Sequence, residues 1–186
     1  GHSQGGHAAL WTGIVAPGYA PDVPLAGVAA LAPASDLKPM IERVQHQVVG
    51  RIMTSFILRA YSETYPDVAF GDYVGATGPL ARDMASRCLA GPKALVSVAE
   101  AVLAAGTIFS SPPHEGPLGA RLAQNTPDRP VPQPLLIAQG LADPLVLPDL
   151  QAAFVARRCR QGQALEYRRY PGLDHLTLVA PESPLT

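Results

Sequence analysis

Two short apolar runs set the strongest limit on what this chain can fold into. One is LAGVAALAP at residues 25–33, and the other is PLLIAQG at residues 134–140. Both are too short for most helices, and both are bounded by proline or glycine. Such runs are typical of strands buried on both faces of a parallel sheet. Because parallel strands need long crossover connections, the runs predict an α/β fold with helices packed against the sheet.

The remaining segments outside the middle of the chain complete an α/β pattern. Residues 4–16 are small and apolar, which indicates a buried helix ended by the APG at 16–18. Residues 148–160 predict a second helix, with Gly162 after its end. The alternating stretch at 164–172 predicts a third strand with a partly exposed face, and residues 175–179 begin a last helix.

The middle of the chain predicts a separate helical domain. Asp36 suits the N-cap of a long helix over 37–61, and shorter helices are predicted over 80–89, 92–105 and 117–124. Such an insertion is far longer than the roughly 2 to 6 residues that usually join a strand to a helix. We therefore expect an α/β core over 1–35 and 130–186, with its early strands missing, and a helical cap, or lid, over 36–129.

Composition excludes several classes of partner. The net charge is −1 and no basic block is present, so no nucleic-acid partner is expected. No apolar run reaches the roughly 18 residues that a membrane span needs. Cys88 and Cys159 lie far apart and lack metal-binding spacing. In an exported protein they pair with each other or with partners in the missing part, and otherwise they stay as free thiols.

The chain begins with GHSQGG at residues 1–6, which matches Gly-x-Ser-x-Gly. In a nucleophile elbow of this kind, a strand turns sharply into a helix and a serine sits at the apex. This makes Ser3 the candidate nucleophile, with Gly1 and Gly5 expected to relieve crowding at the turn. The strand that should lead into the elbow is absent, so we expect the chain to be a C-terminal fragment that starts at its own elbow.

A serine nucleophile needs a base, and the base needs an acid that holds it in place. Asp143 follows the strand at 134–140, at the sheet edge where α/β proteins place their sites. It is the preferred acid, although a plain turn before Pro144 would also explain it. Asp36, Asp149 and Asp174 are the alternatives, and the first two are better explained as helix-end residues.

His175, in the segment PGLDH after the last predicted strand, is the candidate base. Only this histidine has both the strand-end position and the chain order Ser, Asp, His that such folds use. Of the other four, His2 is expected to point away from the apex. His7 is too close in sequence to act on Ser3, and His46 and His114 lie in the cap.

A transition state with a negatively charged oxygen needs backbone N–H donors, and the residue after the serine normally supplies one. Here that donor is the N–H of Gln4. The second donor is expected from a loop after an early strand outside this chain. Since losing one donor costs about 10²–10³ in rate, the chain alone is expected to be weakly active or inactive.

Taken together, GHSQGGHAALW, the helical insertion, QPLLIAQGLADPLVLP and YRRYPGLDHLTLV resemble the secretory lipase family, of the lipase A type. The resemblance covers the whole chain and corresponds to the C-terminal portion of that family. It implies an α/β-hydrolase fold, a triad of Ser3, Asp143 and His175, and Gln4 as an oxyanion donor. It also implies hydrolysis of acylglycerols and other carboxylic esters, usually after export, with no metal or organic cofactor.

The sequence therefore predicts a serine carboxylic ester hydrolase, of the triacylglycerol lipase or esterase kind. The alternatives are a peptidase or polyesterase on the same fold, or an inactive remnant. A small lipid or ester is the expected substrate, with transient contact to a lipid interface through the cap and no obligate protein partner. The apolar stripe over 41–61 and the apolar residues at 96–109 serve either as the cap's own core or as a channel for an acyl chain.

Overall fold

The computed structural model describes residues 1–87, 94–103 and 108–185. The helices and strands in these ranges are, in chain order, α1 (Gln4–Tyr19), β1 (Val28–Leu31), α2 (Leu37–Val44), α3 (Val48–Thr64), α4 (Gly78–Met84), α5 (Ala94–Leu103), α6 (Gly116–Gln124), β2 (Leu135–Gly140), α7 (Pro148–Arg160) and β3 (Leu165–Tyr170). Two short 3₁₀ turns occupy Phe70–Asp72 and Thr177–Val179.

The strands form a parallel sheet in the order β1-β2-β3, which confirms the predicted α/β class. Val28 pairs with Leu135, and Leu135 pairs with Leu165 on its other side. At the opposite edge of β1, His2 makes a further parallel bridge with Leu31. The residues just before α1 therefore lie as the end of a neighbouring strand, and all carboxyl ends meet at one edge of the sheet.

The core of the sheet lies on the face against which α1 and α7 pack. Alternate residues of β1 and β2 point to this face and meet apolar side chains from both helices. The buried cluster consists of Leu10, Val28, Ala30, Val131, Leu135, Ile137, Phe154 and Val155. Burial of these side chains fixes the strands, and with them the loops that leave their carboxyl ends.

The described residues divide into two compact units. The sheet unit comprises Gly1–Leu37 and Thr126–Thr186, and the helical unit comprises Lys38–Asn125. The sequence placed the corresponding boundaries after residues 35 and 129. That the helical unit acts as a cap stays a prediction.

The helix predicted over 37–61 is two helices, α2 and α3, separated by a tight turn at residues 45–47. The Gln45 and Gln47 N–H groups close this turn by donating to the Ile41 and Val44 carbonyls, each at 2.9 Å. In the same turn, Nε2 of the Gln45 side chain lies 3.3 Å from Nδ1 of His114. Apolar residues keep a helical spacing on both sides of the turn, so periodicity alone does not reveal the break.

The helix predicted from residue 175 is only the 3₁₀ turn Thr177–Val179. The Asp174 carboxylate accepts hydrogen bonds from the Leu176 and Thr177 N–H groups, which closes a tight loop instead of an α-helical turn. The predictions for the ends of the helices at 80–89 and 92–105, and for Cys88, lie outside the described residues. Cys159 is an exposed free thiol.

Candidate active site

Ser3 occupies the sharp turn between the His2 bridge and α1. Its backbone has φ 54° and ψ −121°, a conformation that residues with a side chain rarely adopt. Such strain costs about 1–3 kcal/mol and persists only where the surroundings enforce it. The Ser3 N–H donates to the Leu31 carbonyl (2.9 Å), and its carbonyl accepts from the N–H groups of His7 (3.0 Å) and Ala34 (3.2 Å). These three bonds hold the turn, which carries the Ser3 hydroxyl at the carboxyl edge of the sheet.

Two glycines allow this turn, and they are Gly1 and Gly6. A Cβ on Gly1 would lie 2.0 Å from the Gly5 carbonyl oxygen, and a Cβ on Gly6 would lie 3.0 Å from Pro33. A Cβ on Gly5 would meet nothing within 4 Å. The prediction that Gly5 relieves crowding is therefore wrong, because the first turn of α1 faces Pro33 through Gly6 instead.

Asp143 lies in the loop after β2 and is almost completely buried. Its Oδ1 accepts hydrogen bonds from the N–H groups of Leu145 (2.8 Å) and Val146 (2.9 Å). Its Oδ2 lies 2.7 Å from Nδ1 of His175. The loop therefore uses one carboxylate oxygen to fix the side chain and presents the other to the histidine.

His175 lies in the loop after β3 and bridges the other two candidates. Its Nδ1 contacts Asp143, and its Nε2 lies 2.9 Å from Oγ of Ser3. An ionised carboxylate only accepts hydrogen bonds, so the ring proton is on Nδ1 and Nε2 accepts from the serine hydroxyl. The structure thus joins all three residues, in the tautomer that lets the imidazole take the serine proton.

The loops after β2 and β3 interlock through their backbones. The Leu141 N–H donates to the Tyr170 carbonyl at 3.0 Å, and the Ala142 N–H donates to the Leu173 carbonyl at 2.9 Å. At Gly140 the approach is so close that a Cβ would lie 2.3 Å from the Leu173 oxygen. The position of His175 relative to Asp143 therefore depends on a glycine at 140.

The three alternative acids have other roles. Asp36 forms an ion pair with Arg157 at 2.5 Å, and Asp149 lies in the first turn of α7. The Asp174 carboxylate accepts from the backbone and the hydroxyl of Thr177, and these bonds lower the pKa of Asp174. Asp143 is the carboxylate that meets the Nδ1 of His175.

The remaining histidines are found in both compact units. His46 and His114 belong to the helical unit. His7 lies beside the elbow, where its Nδ1–H donates to the Ala34 carbonyl at 2.7 Å. The expectation that His2 points away from the site is wrong, since its ring lies against His175 with the ring centroids 4.6 Å apart. The loop after β3 thus reaches the residues just before α1, with the His175 carbonyl 2.9 Å from Nε2 of His2, and the sequence order of the two segments does not reveal this contact.

Burial of His7 lowers its pKa, so its neutral form is favoured in the folded protein. The unfolded chain, with an ordinary value near 6.5, then binds the proton more readily. We expect His7 to contribute to stability fully above that pH and to lose this contribution as the pH falls towards its folded pKa. Urea unfolding between pH 7 and 5 should therefore give a flatter pH dependence for His7→Asn, whose amide still reaches the Ala34 carbonyl.

The matched control for this experiment is His46→Asn, which replaces an exposed histidine. It should follow the wild-type curve. If the free energy of unfolding of His7→Asn depends on pH as steeply as that of the wild type, His7 does not make this contribution.

Gln139 was not predicted from the sequence, and its side chain supports the loop after β2 that carries Asp143. It is fully buried at the end of β2, and its side-chain amide donates to the carbonyls of Gly140 and Val146, each at 3.0 Å. The same nitrogen lies 3.4 Å from Oδ2 of Asp143. The available signal was a single polar residue inside the apolar run PLLIAQG.

Gln4 begins α1, and within the described ranges no group accepts a hydrogen bond from its N–H. This N–H sits at the positive end of the helix dipole, next to Ser3. The arrangement suits an anionic oxygen near the serine. The described part of the chain contains no cluster of His, Cys, Asp and Glu that could hold a metal ion. Among the described helices, none combines the length and apolarity that crossing a membrane requires.

Several solved structures are similar to this chain. The lipase A of Candida antarctica superposes with a TM-score of 0.70 at 19% identity, over 95% of this chain and 43% of that one. The rice cell wall degrading esterase LipA of Xanthomonas oryzae gives 0.76 at 16% identity, over 92% and 50%. A putative hydrolase of Legionella pneumophila gives 0.68 at 15% identity, over 96% and 51%.

These similarities show an α/β-hydrolase fold, as the sequence predicted. The chain spans about half the length of these structures or less. No curated protein sequence matches the chain significantly. The family model described as secretory lipase matches residues 1–186, and the chain therefore belongs to the secretory lipase family.

Proposed function

We propose that this protein is a serine carboxylic ester hydrolase, of the triacylglycerol lipase or esterase kind. One observation supports the proposal above all: the continuous chain of contacts from Ser3 Oγ through His175 to Asp143, at 2.9 and 2.7 Å. In this assignment Ser3 is the nucleophile, His175 the general base and acid, and Asp143 the residue that orients the base. Membership of the secretory lipase family supports the same class of reaction.

In the acylation step, Oγ of Ser3 attacks the carbonyl carbon of the ester while Nε2 of His175 takes the hydroxyl proton. Asp143 stabilises the imidazolium through Nδ1 and keeps the ring oriented. The negative charge that develops on the ester oxygen is stabilised by the Gln4 N–H at the start of α1. Collapse of the tetrahedral intermediate breaks the bond to the alcohol, which leaves with the proton from His175.

In the deacylation step, a water molecule takes the place of the alcohol. Nε2 of His175 removes one proton from the water as its oxygen attacks the acyl carbonyl carbon. The bond from that carbon to Oγ then breaks, and Ser3 recovers its proton from His175. The products are the carboxylic acid and the unmodified enzyme, so this cycle needs no further reactant.

We infer that the substrate is a lipidic or other apolar ester and that the protein acts after export, as the family description suggests. Helix α5 supports transient contact with a lipid surface, since it exposes a set of apolar side chains: Leu95, Val96, Val98 and Val102. Other residues predicted to line an acyl channel are buried in the helical unit, and these are Ile41, Val44, Ile52 and Ile108.

A fluorophosphonate probe tests the nucleophile directly, because it phosphonylates only an activated serine. We expect the full chain to gain one probe mass on the peptide that contains Ser3, and Ser3→Ala to gain none. Hydrolysis of p-nitrophenyl butyrate and of p-nitrophenyl octanoate should both depend on Ser3. Labelling at another serine, or equal ester hydrolysis by Ser3→Ala, would contradict the assignment, and faster cleavage of p-nitroanilides would indicate a peptidase.

A further inference from the structure

His2 makes two close contacts with His175. Its Nε2 lies 2.9 Å from the main-chain carbonyl oxygen of His175, and the two rings lie 4.6 Å apart with their planes tilted by 42°. A carbonyl oxygen only accepts hydrogen bonds, so Nε2 of His2 carries the proton and donates it. His2 therefore binds the backbone of the candidate base, while Asp143 binds its ring.

The His175 carbonyl depends on this contact. Within the described ranges, no other group donates a hydrogen bond to it. His175 is almost completely buried, and a buried carbonyl without a donor is costly. The other backbone bonds of this loop lie on either side of His175: the Ala142 N–H donates to the Leu173 carbonyl at 2.9 Å, and the Leu178 N–H donates to the Asp174 carbonyl at 3.2 Å. Nε2 of His2 thus anchors the backbone of His175, the residue that must stay aligned with both Asp143 and Ser3.

We propose that His2 is a positioning residue, whose hydrogen bond to the His175 carbonyl keeps that imidazole between Asp143 and Ser3. The inference rests on the proposed function of these three residues. Ser3 and His2 are adjacent in the elbow, so one rigid turn holds the nucleophile and also the backbone of its base. This arrangement limits how far motion of the loop after β3 can change the distance between Oγ of Ser3 and Nε2 of His175.

The charge of His2 is consistent with this role. Partial burial lowers the pKa of His2, and the neighbouring His175 ring lowers it further, against smaller opposing effects of the hydrogen bond to the His175 carbonyl and of Asp143. A neutral His2 still has the Nε2 proton that the hydrogen bond needs. It also places no second positive charge beside the imidazolium that forms on His175 during the reaction.

Two variants separate the hydrogen bond from the ring contact. His2→Phe keeps a ring against His175 but has no donor, whereas His2→Gln keeps an N–H donor at similar reach but has no ring. We expect His2→Phe to lower kcat for p-nitrophenyl butyrate by about 10- to 100-fold with KM changed by less than about twofold, because small misplacements of a base are costly. His2→Gln should retain at least about a third of wild-type kcat, since its donor preserves the bond. His46→Phe, at an exposed position of the helical unit, is the matched control and should behave as the wild type.

Proton NMR in water provides a readout that does not depend on hydrolysis. The Nδ1 proton of His175, identified by its loss in His175→Gln, should exchange with water at least about tenfold faster in His2→Phe than in the wild type or His2→Gln, because a loosened ring opens to solvent. If exchange changes in this way but the wild type neither cleaves esters nor reacts with the fluorophosphonate probe at Ser3, the proposed function fails and the positioning role stands. Wild-type exchange and kcat in His2→Phe, or equal losses in His2→Phe and His2→Gln, would overturn the positioning role.

Discussion

Asp143→Asn is expected to lower kcat for ester hydrolysis by about 10⁴-fold, with little change in fold. The structure fixes how the new amide would lie. Two backbone N–H groups, from Leu145 and Val146, point at the position of Oδ1, so the amide oxygen must stay there. The amide NH₂ must then face Nδ1 of His175, where the Oδ2 acceptor was.

This orientation forces the wrong tautomer on the base. Facing an N–H donor, Nδ1 of His175 must accept, so the ring proton moves to Nε2. A protonated Nε2 cannot take the proton of Ser3, and the nucleophile is not activated. Measurement of kcat with p-nitrophenyl butyrate, together with circular dichroism to confirm the fold, tests this expectation.

The matched control is Asp174→Asn, one residue from His175. The Asp174 carboxylate accepts bonds from Leu176 and Thr177, and asparagine serves as well in such a turn. We expect its kcat to stay within a few-fold of the wild type. A larger loss in Asp174→Asn than in Asp143→Asn would show that Asp174 is the acid.

Gly140→Ala is expected to lower kcat by about 10²-fold or more and to destabilise the fold by about 1–3 kcal/mol. The new Cβ would lie 2.3 Å from the Leu173 oxygen and 3.0 Å from the Asp174 oxygen. These are backbone atoms, so the loop after β3 has to move as a whole. His175 follows Asp174 directly, and the movement separates its ring from Asp143 and from Ser3.

The matched control is Gly18→Ala. It makes the same change of residue at a position where a Cβ would meet nothing within 4 Å. It lies in α1 and should leave activity unchanged and stability equal or higher by up to about 1 kcal/mol. Urea unfolding and kcat of both variants give the comparison. Wild-type kcat in Gly140→Ala would mean that the His175 loop tolerates displacement.

Much of the fold follows from local patterns in the sequence. Short apolar runs between prolines predicted the strands near 28–31 and 135–140. Burial on both faces is found for most of β2, whereas Ala29 of β1 is exposed. The pattern did not find the turn at 45–47, because apolar spacing continues across it. It also predicted a helix from 175, where the Asp174 side chain closes a tighter turn.

Chain order and strand-end positions selected Ser3, Asp143 and His175 as candidates, and Gly-x-Ser-x-Gly predicted the strained turn at Ser3. These are properties of short segments, so the sequence by itself determined them. Only the tertiary structure decided that Gly6 and not Gly5 meets the neighbouring loop, that Gln139 supports the acid, and that His2 binds the base. Each of these depends on the parallel alignment of strands far apart in the chain, and the distances that result cannot be read from the spacing of residues along it.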